Sequence, residues 1–93
     1  GPSLVLLHHM DVVPVEGQTW RYPPFEGRVA DGAIWGRGAV DTKGSAIVMM
    51  AAMRALAASG IKPKYPIHYL AVPDEETQGP AGAGWFVDNA LER

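Results

Sequence analysis

Three short segments of this chain carry side chains suited to metal chemistry: His9-Met10-Asp11, the aspartate Asp41, and Asp74-Glu75-Glu76-Thr77. On an extended strand, residues two apart point to one face. A histidine that binds metal usually has a carboxylate behind it, which fixes its tautomer and raises its basicity. His9 and Asp11 have the spacing for that pair, although a surface histidine beside a loop aspartate is the competing reading. Asp41 stands in Gly36-Arg37-Gly38-Ala39-Val40-Asp41-Thr42-Lys43-Gly44. The glycines allow close approach of the chain, and the two carboxylate oxygens are able to bridge two cations; plain capping of the next helix is the alternative. A dinucleotide fingerprint would need a third glycine where Asp41 stands, and a P-loop would need Gly-Lys-Ser/Thr, which is absent. Asp41-Thr42-Lys43-Gly44 also has the wrong order for the phosphorylated Asp-Lys-Thr-Gly of ion pumps.

The adjacent carboxylates of Asp74, Glu75 and Glu76 repel one another unless solvated or bound to a cation. A solvated surface run is the ordinary explanation of such a cluster, but this one directly follows an apolar strand. Neighbouring side chains diverge, so one glutamate can hold a metal while the other faces a substrate. Together the three segments supply what a metal hydrolase needs. A cation polarises the scissile carbonyl and activates water, and a base takes the water's proton and returns it to the leaving amine. The chain has no cysteine, so the ligands must be nitrogen and oxygen, a set that suits Zn²⁺ and also Co²⁺ or Mn²⁺.

Positioning these groups requires an ordered scaffold. Leu4-Val5-Leu6-Leu7 lies within a short apolar run, Ser3 to His8, that reads as a buried strand. Residues 12–26 are irregular and broken by prolines. Asp31-Gly32 between two apolar runs predicts a hairpin. A helix is expected from about Lys43 to Ser59, with Ile47, Met50, Ala51, Met53, Leu56 and Ala57 on a buried stripe and Gly60 as its stop. Tyr65 to Val72 reads as a second buried strand. A last helix near Pro80 or Ala81 is expected to carry Trp85, Phe86 and Leu91 inward and to run on to Arg93. Two apolar strands joined through a helix predict a parallel pair with a right-handed crossover. The expected fold is therefore an α/β layered domain with parallel strands, one β-hairpin and crossover helices. Sites in open α/β sheets gather at the C-terminal strand ends, where His9, Asp11, Asp74, Glu75 and Glu76 fall, with Asp41 just before the helix between them.

The remaining features bound the function. The 93 residues hold one small domain at most. A formal net charge of −2 without a basic stripe gives no footprint for nucleic acid, and no apolar run is long enough to span a bilayer. The lack of cysteine suits a reducing compartment, so a cytoplasmic location is expected. Gly1-Pro2 reads equally as native sequence or as the remnant of a cleaved tag. His8 should point away from His9 as a core or supporting residue. His68 should be a satisfied strand histidine. Met49, Met50 and Met53 are expected in the helix core face. Trp20 and Phe25 are expected to anchor the long loop, with the lining of a substrate cleft as the alternative, and Arg37 should pair with nearby acids. The chain starts almost inside a strand and stops in a helix without a capping glycine, which makes it an expected fragment of a larger domain.

A resemblance joins these pieces. His9-Met10-Asp11-Val12-Val13-Pro14, Trp20, Pro23-Pro24-Phe25-Glu26-Gly27, Asp31-Gly32, Trp35-Gly36-Arg37-Gly38-Ala39, Asp41-Thr42-Lys43-Gly44 and Pro73-Asp74-Glu75-Glu76-Thr77 closely resemble the M20 metallopeptidases, in order and spacing. That family includes aminoacylases, acetylornithine deacetylase, succinyl-diaminopimelate desuccinylase, carboxypeptidases and dipeptidases. The resemblance implies that the chain is residues 1–93 of a partial metallopeptidase catalytic domain that hydrolyses a peptide or N-acyl amide bond next to a free carboxylate. It further implies two Zn²⁺ ions, with His9 on one, Glu76 on the other and Asp41 bridging both. Glu75 would be the general base, and Asp11, placed with it in the catalytic set, would orient His9. A cis Asp41–Thr42 peptide, rare before a residue other than proline, is implied as well. Two later ligands and an inserted dimerisation domain of the family are absent from this sequence. The expectation is therefore weak metal binding and no turnover by these residues alone, with an active and dimer-forming parent. A non-peptide amidase is a second reading, and a catalytically inactive binding or structural module of the same fold a third.

Overall fold

Apolar, β-branched segments pair where the chain can return to them, and here the return is parallel. The computed structural model describes residues 1–90. Strand β1 (Leu4–His9) lies beside β4 (Ile67–Val72) in parallel, with Leu4 opposite Ile67 and His9 opposite Val72. The Met10 amide donates to the Val72 carbonyl at 2.9 Å, which carries the ladder one residue beyond the strand. This register sets the end of β1 beside the residue just before Pro73 and the acidic turn. Helix α1 (Ser45–Ser59) makes the connection between the two strands and packs on β1. It ends at Gly60, whose φ of 71° is the left-handed conformation that glycine adopts without cost.

The Asp31-Gly32 pair makes the expected hairpin. Strands β2 (Arg28–Ala30) and β3 (Ala33–Trp35) run antiparallel, with Ala30 opposite Ala33. Asp31 and Gly32 both have positive φ, 53° and 73°, as a two-residue turn matched to strand twist requires. After β3 the chain turns through Ala39–Gly44, where Asp41 and Thr42 leave helical backbone angles. The Asp41–Thr42 peptide is cis, as the resemblance implies. Helix α1 therefore starts two residues later than the sequence suggests. Helix α2 (Ala83–Asn89) closes the described residues. Leu91 and the run to Arg93 lie outside them.

The core is thinner than the apolar pattern predicts. The described residues form a slab of 48 × 34 × 12 Å, and among them Ala46 and Val72 are the only buried apolar side chains. Leu4, Val5 and Leu7 of β1 are exposed, as are Ile47 and Met50 of α1. Met49, Met53 and Leu56 are half-buried. The reason is geometric: two strands form a layer too narrow to cover a four-turn helix, so the outer part of its apolar stripe has nothing to lie on. Trp85 faces solvent rather than inward, while Phe86 is half-buried. Phe25 is 73% exposed and anchors nothing.

Gly38 is buried with a φ of 79°, and a Cβ there would meet Val12 Cγ1 at 2.8 Å. Its carbonyl accepts the Lys43 amide at 2.9 Å, closing the turn that holds Asp41. Gly38→Ala is expected to destabilise the protein by about 1–3 kcal/mol, measured by chemical denaturation of the full-length polypeptide.

Candidate metal centre

The strand register and the Ala39–Gly44 turn bring His9, Asp41 and Glu76 together. One ligand atom from each lies within 4.8 Å of the other two. His9 comes from the last position of β1, Asp41 from the turn before α1, and Glu76 from a short helical turn, Glu75–Thr77, directly after β4. The His9 side chain is 9% exposed and that of Asp41 69%, so the cluster opens to solvent on the carboxylate side. One imidazole nitrogen and two carboxylates, with no sulfur, form a donor set that fits a hard or borderline divalent cation.

His9 is held at both ring nitrogens. Its Nδ1–H donates to the Asp11 main-chain carbonyl at 2.9 Å, and its Nε2–H donates to Asp41 Oδ1 at 2.8 Å. Both partners are acceptors, an arrangement that favours the protonated ring. Burial alone would lower its pKa. The hydrogen bonds to Asp41 and Asp11 and the charges of Asp41 and Glu75 outweigh that, and the pKa lies above the ordinary 6.5. Glu75 Oε2 is 3.8 Å from His9 Nε2, and the Glu75 side chain is 56% exposed. The two adjacent glutamates thus separate: Glu76 joins the ligand cluster, while Glu75 borders it with its carboxylate in solvent.

Asp11 is placed differently from the simplest reading of His-x-Asp. It lies beyond the end of β1, where strand alternation no longer applies, and its carboxylate is 3.5 Å from His9 Nδ1. The hydrogen bond that orients His9 comes from the Asp11 carbonyl instead. The carboxylate accepts the amides of Glu76 at 3.0 Å and Glu75 at 3.2 Å. Chiefly the Glu76 amide, acting against the cost of burial and helped by Glu75, holds the Asp11 carboxyl below the usual range. Asp74 has turned away from the cluster. It has φ 68°, and its carboxylate accepts the Thr77 hydroxyl and, at 2.9 Å, the Ala81 amide. These two contacts, in that order, lower its pKa. The acidic run is therefore one turn-former, one ligand candidate and one solvent-facing base candidate.

The neighbouring residues depart further from expectation. His8 is outside the cluster; its Nδ1–H donates to the His9 carbonyl at 2.9 Å, and Tyr69 Oη–H donates to its Nε2 at 2.6 Å. Sequence reasoning missed Tyr69 because a strand tyrosine carries no signal of its partner. His68 is exposed and has no side-chain hydrogen bond among the described residues, so it is not the satisfied histidine expected. Among the described residues Arg37 pairs with no acid. Its guanidinium lies 4.8 Å from the Trp20 ring centre and donates to Gln18 Oε1.

Comparison with known proteins identifies the family of the chain. The model of peptidase family M20/M25/M40 matches residues 5–93, and the chain belongs to that family. It is 45% identical over 86 residues to aminoacylase-1 of Sus scrofa, covering 91% of this chain and 21% of that protein. It is 47% identical over 85 residues to a succinyl-diaminopimelate desuccinylase of Methylobacterium radiotolerans, covering 90% and 21%. A probable carboxypeptidase S-like 2 of Dictyostelium discoideum is 40% identical over 81 residues, covering 86% and 16%. The chain thus spans about a fifth of the length of these relatives. Among the described residues no helix is long and apolar enough to cross a membrane.

A metal at His9 must displace the Nε2 proton, because ligating imidazole is neutral there. With the pKa raised above 6.5, protons compete over a window that reaches above that value. Apparent Zn²⁺ affinity should therefore rise with pH, by about tenfold per unit below the His9 pKa, and level off above it. Calorimetric titration across pH checks this. The metal-free His9–Asp41 contact runs the opposite way: its stabilisation is complete below 6.5 and is lost as pH rises through the folded pKa.

Proposed function

We propose that this chain is the front part of a metallopeptidase catalytic domain and that the whole protein hydrolyses a peptide or N-acyl amide bond of a small amino-acid derivative. The observation carrying this reading is the convergence of His9, Asp41 and Glu76 beside a separate, solvent-facing Glu75. The names of the relatives, an aminoacylase, a desuccinylase and a probable carboxypeptidase, support an amide-bond substrate near a carboxylate.

In this reading His9, Asp41 and Glu76 would hold the Zn²⁺ ions, two in number on the family resemblance, with Co²⁺ or Mn²⁺ as substitutes. When bound, the metal supplies a Lewis acid for the scissile carbonyl. His9 presents Nε2 while its Nδ1–H donates to the Asp11 carbonyl. The Asp41 carboxylate is largely free in solvent, which leaves its oxygens available for two contacts. Glu75 accepts the proton of the attacking water and returns it to the leaving nitrogen. Its exposed carboxylate reaches the open side of the cluster, where a substrate must enter. Asp11 acts through other groups, by fixing the turn that carries both glutamates. Three protein ligands shared between two cations are fewer than a stable site usually has. Further ligands are therefore assigned to parts of the protein beyond this chain, and these residues alone should bind metal weakly and turn nothing over. Assembly as a homodimer belongs to the same reading.

The test uses the full-length protein with a panel of N-acetyl and N-succinyl amino acids and dipeptides. Hydrolysis that a chelator abolishes and Zn²⁺ restores supports the proposal; no turnover of any panel member after Zn²⁺ loading contradicts it. Glu75→Ala should lower kcat by about 10²–10⁴-fold with metal content unchanged. Glu76→Ala should lose metal along with activity.

A further inference from the structure

The irregular stretch from Pro14 to Pro24 has no ladder or helix to hold it, yet its Trp20 lines a cavity at the metal cluster. This cavity, of about 270 Å³, is lined by the apolar Val13, Trp20, Ile34 and Val40, by Asp41 and Glu76, and by Arg37 itself. Its apolar lining next to the ligand carboxylates suits an apolar group flanking a scissile amide. Arg37 keeps Trp20 in that lining. The Arg37 backbone amide donates to the Pro24 carbonyl at 2.7 Å. Its Nη2 donates to the Pro14 carbonyl at 3.4 Å and to Gln18 Oε1. The guanidinium stacks on the Trp20 ring, 4.8 Å from its centre. One residue thus grips the start, middle and end of the loop, and it immediately precedes Gly38 and the turn that carries Asp41.

We infer that Arg37 is a positioning residue that clamps the Pro14–Pro24 loop and thereby sets the shape of the substrate pocket beside Asp41 and Glu76. Only arginine can make this set of contacts, because lying over an aromatic ring while donating to two acceptors needs a planar fork, which lysine lacks. The clamp works against a cost. Trp20 Nε1 and Arg37 Nε are enclosed and have no hydrogen-bond partner among the described residues. Enclosed donors without acceptors favour the opened, hydrated loop, so the stack and the side-chain hydrogen bonds are what keep it closed. Losing them should have a large effect on the loop and little on the metal ligands, which are held by β1, the Ala39–Gly44 turn and Asp11.

The inference rests on the reading of the cluster as the active site, and its test separates the two. In the full-length protein, Arg37→Met should raise KM for the best substrate of the panel by about tenfold, with kcat and bound Zn²⁺ within about twofold. Arg37→Lys should be no better than Arg37→Met. Trypsin reports on the loop without any need for turnover, because Arg21 lies within it with a side chain 62% exposed. Cleavage after Arg21 should accelerate by about tenfold in both variants, following the open population. Gln18→Ala, at an exposed position, covers the case in which Arg37→Met does not fold; it should raise KM by about threefold and speed cleavage by a similar factor. Unchanged KM and unchanged cleavage in these variants would overturn the inference. So would full rescue by lysine, or a parallel loss of kcat and metal. Absence of turnover by the unaltered protein counts against the function proposed above, while the cleavage rates still decide whether Arg37 is the clamp.

Discussion

The Asp11 carboxylate, accepting the amides of Glu75 and Glu76, is the contact on which the arrangement of this site depends. It joins the segment after β1 to the turn after β4, two stretches far apart along the chain. The parallel register brings these strand ends side by side, but a register alone would leave both loops free. The clamp converts adjacency into a fixed turn. It also satisfies two amides at the start of a short helical turn that has no capping side chain of its own. From the same residue the main-chain carbonyl orients His9. One aspartate therefore sets the direction of one ligand candidate at the end of β1 and the turn after β4 that carries a second ligand candidate and a base candidate.

The rest of the fold is organised around that junction more than around a hydrophobic centre. The buried apolar residues, Ala46 and Val72, sit under the site. Val72 ends β4 directly before the acidic turn, and Ala46 begins α1 directly after the turn that carries Asp41. Large apolar side chains farther from the junction, such as Leu4, Val5, Ile47 and Ile61, stay exposed. Several exposed large apolar side chains together mark a place where something else packs. On the function proposed above, that something is the remainder of a larger catalytic domain.

Much of this was legible in the sequence. Asp31-Gly32 gave away the hairpin because a turn with two positive φ angles tolerates few residue pairs. Gly60 marked the end of α1 for the same reason. The strands were visible as short apolar runs, and their parallel pairing followed from the helix between them. The cluster of His9, Asp41 and Glu76 could be anticipated from strand-end placement together with family resemblance. Burial could not be read in the same way. An apolar stripe such as Ile47 to Leu56 states what a helix would bury given a partner, and the two-stranded layer is too narrow to cover it. Side-chain partners beyond the local chain were equally hidden. Arg37 looked like half of an ion pair because charge suggests charge, whereas its planar group found an aromatic ring and an amide. Asp11 looked like the partner of the His9 ring, yet two distant amides took its carboxylate and its carbonyl took the ring.

The most direct measurement is the Zn²⁺ affinity of full-length protein carrying Asp11→Ala, set against unaltered protein by calorimetry at one pH, with circular dichroism to confirm the fold. Removing the carboxylate frees the Glu75–Glu76 turn while touching no ligand. Affinity should fall by about 10–100-fold, the range found when support behind a metal ligand is removed, with secondary structure retained. Unchanged Zn²⁺ binding in a folded Asp11→Ala protein would contradict the view that this clamp assembles the centre.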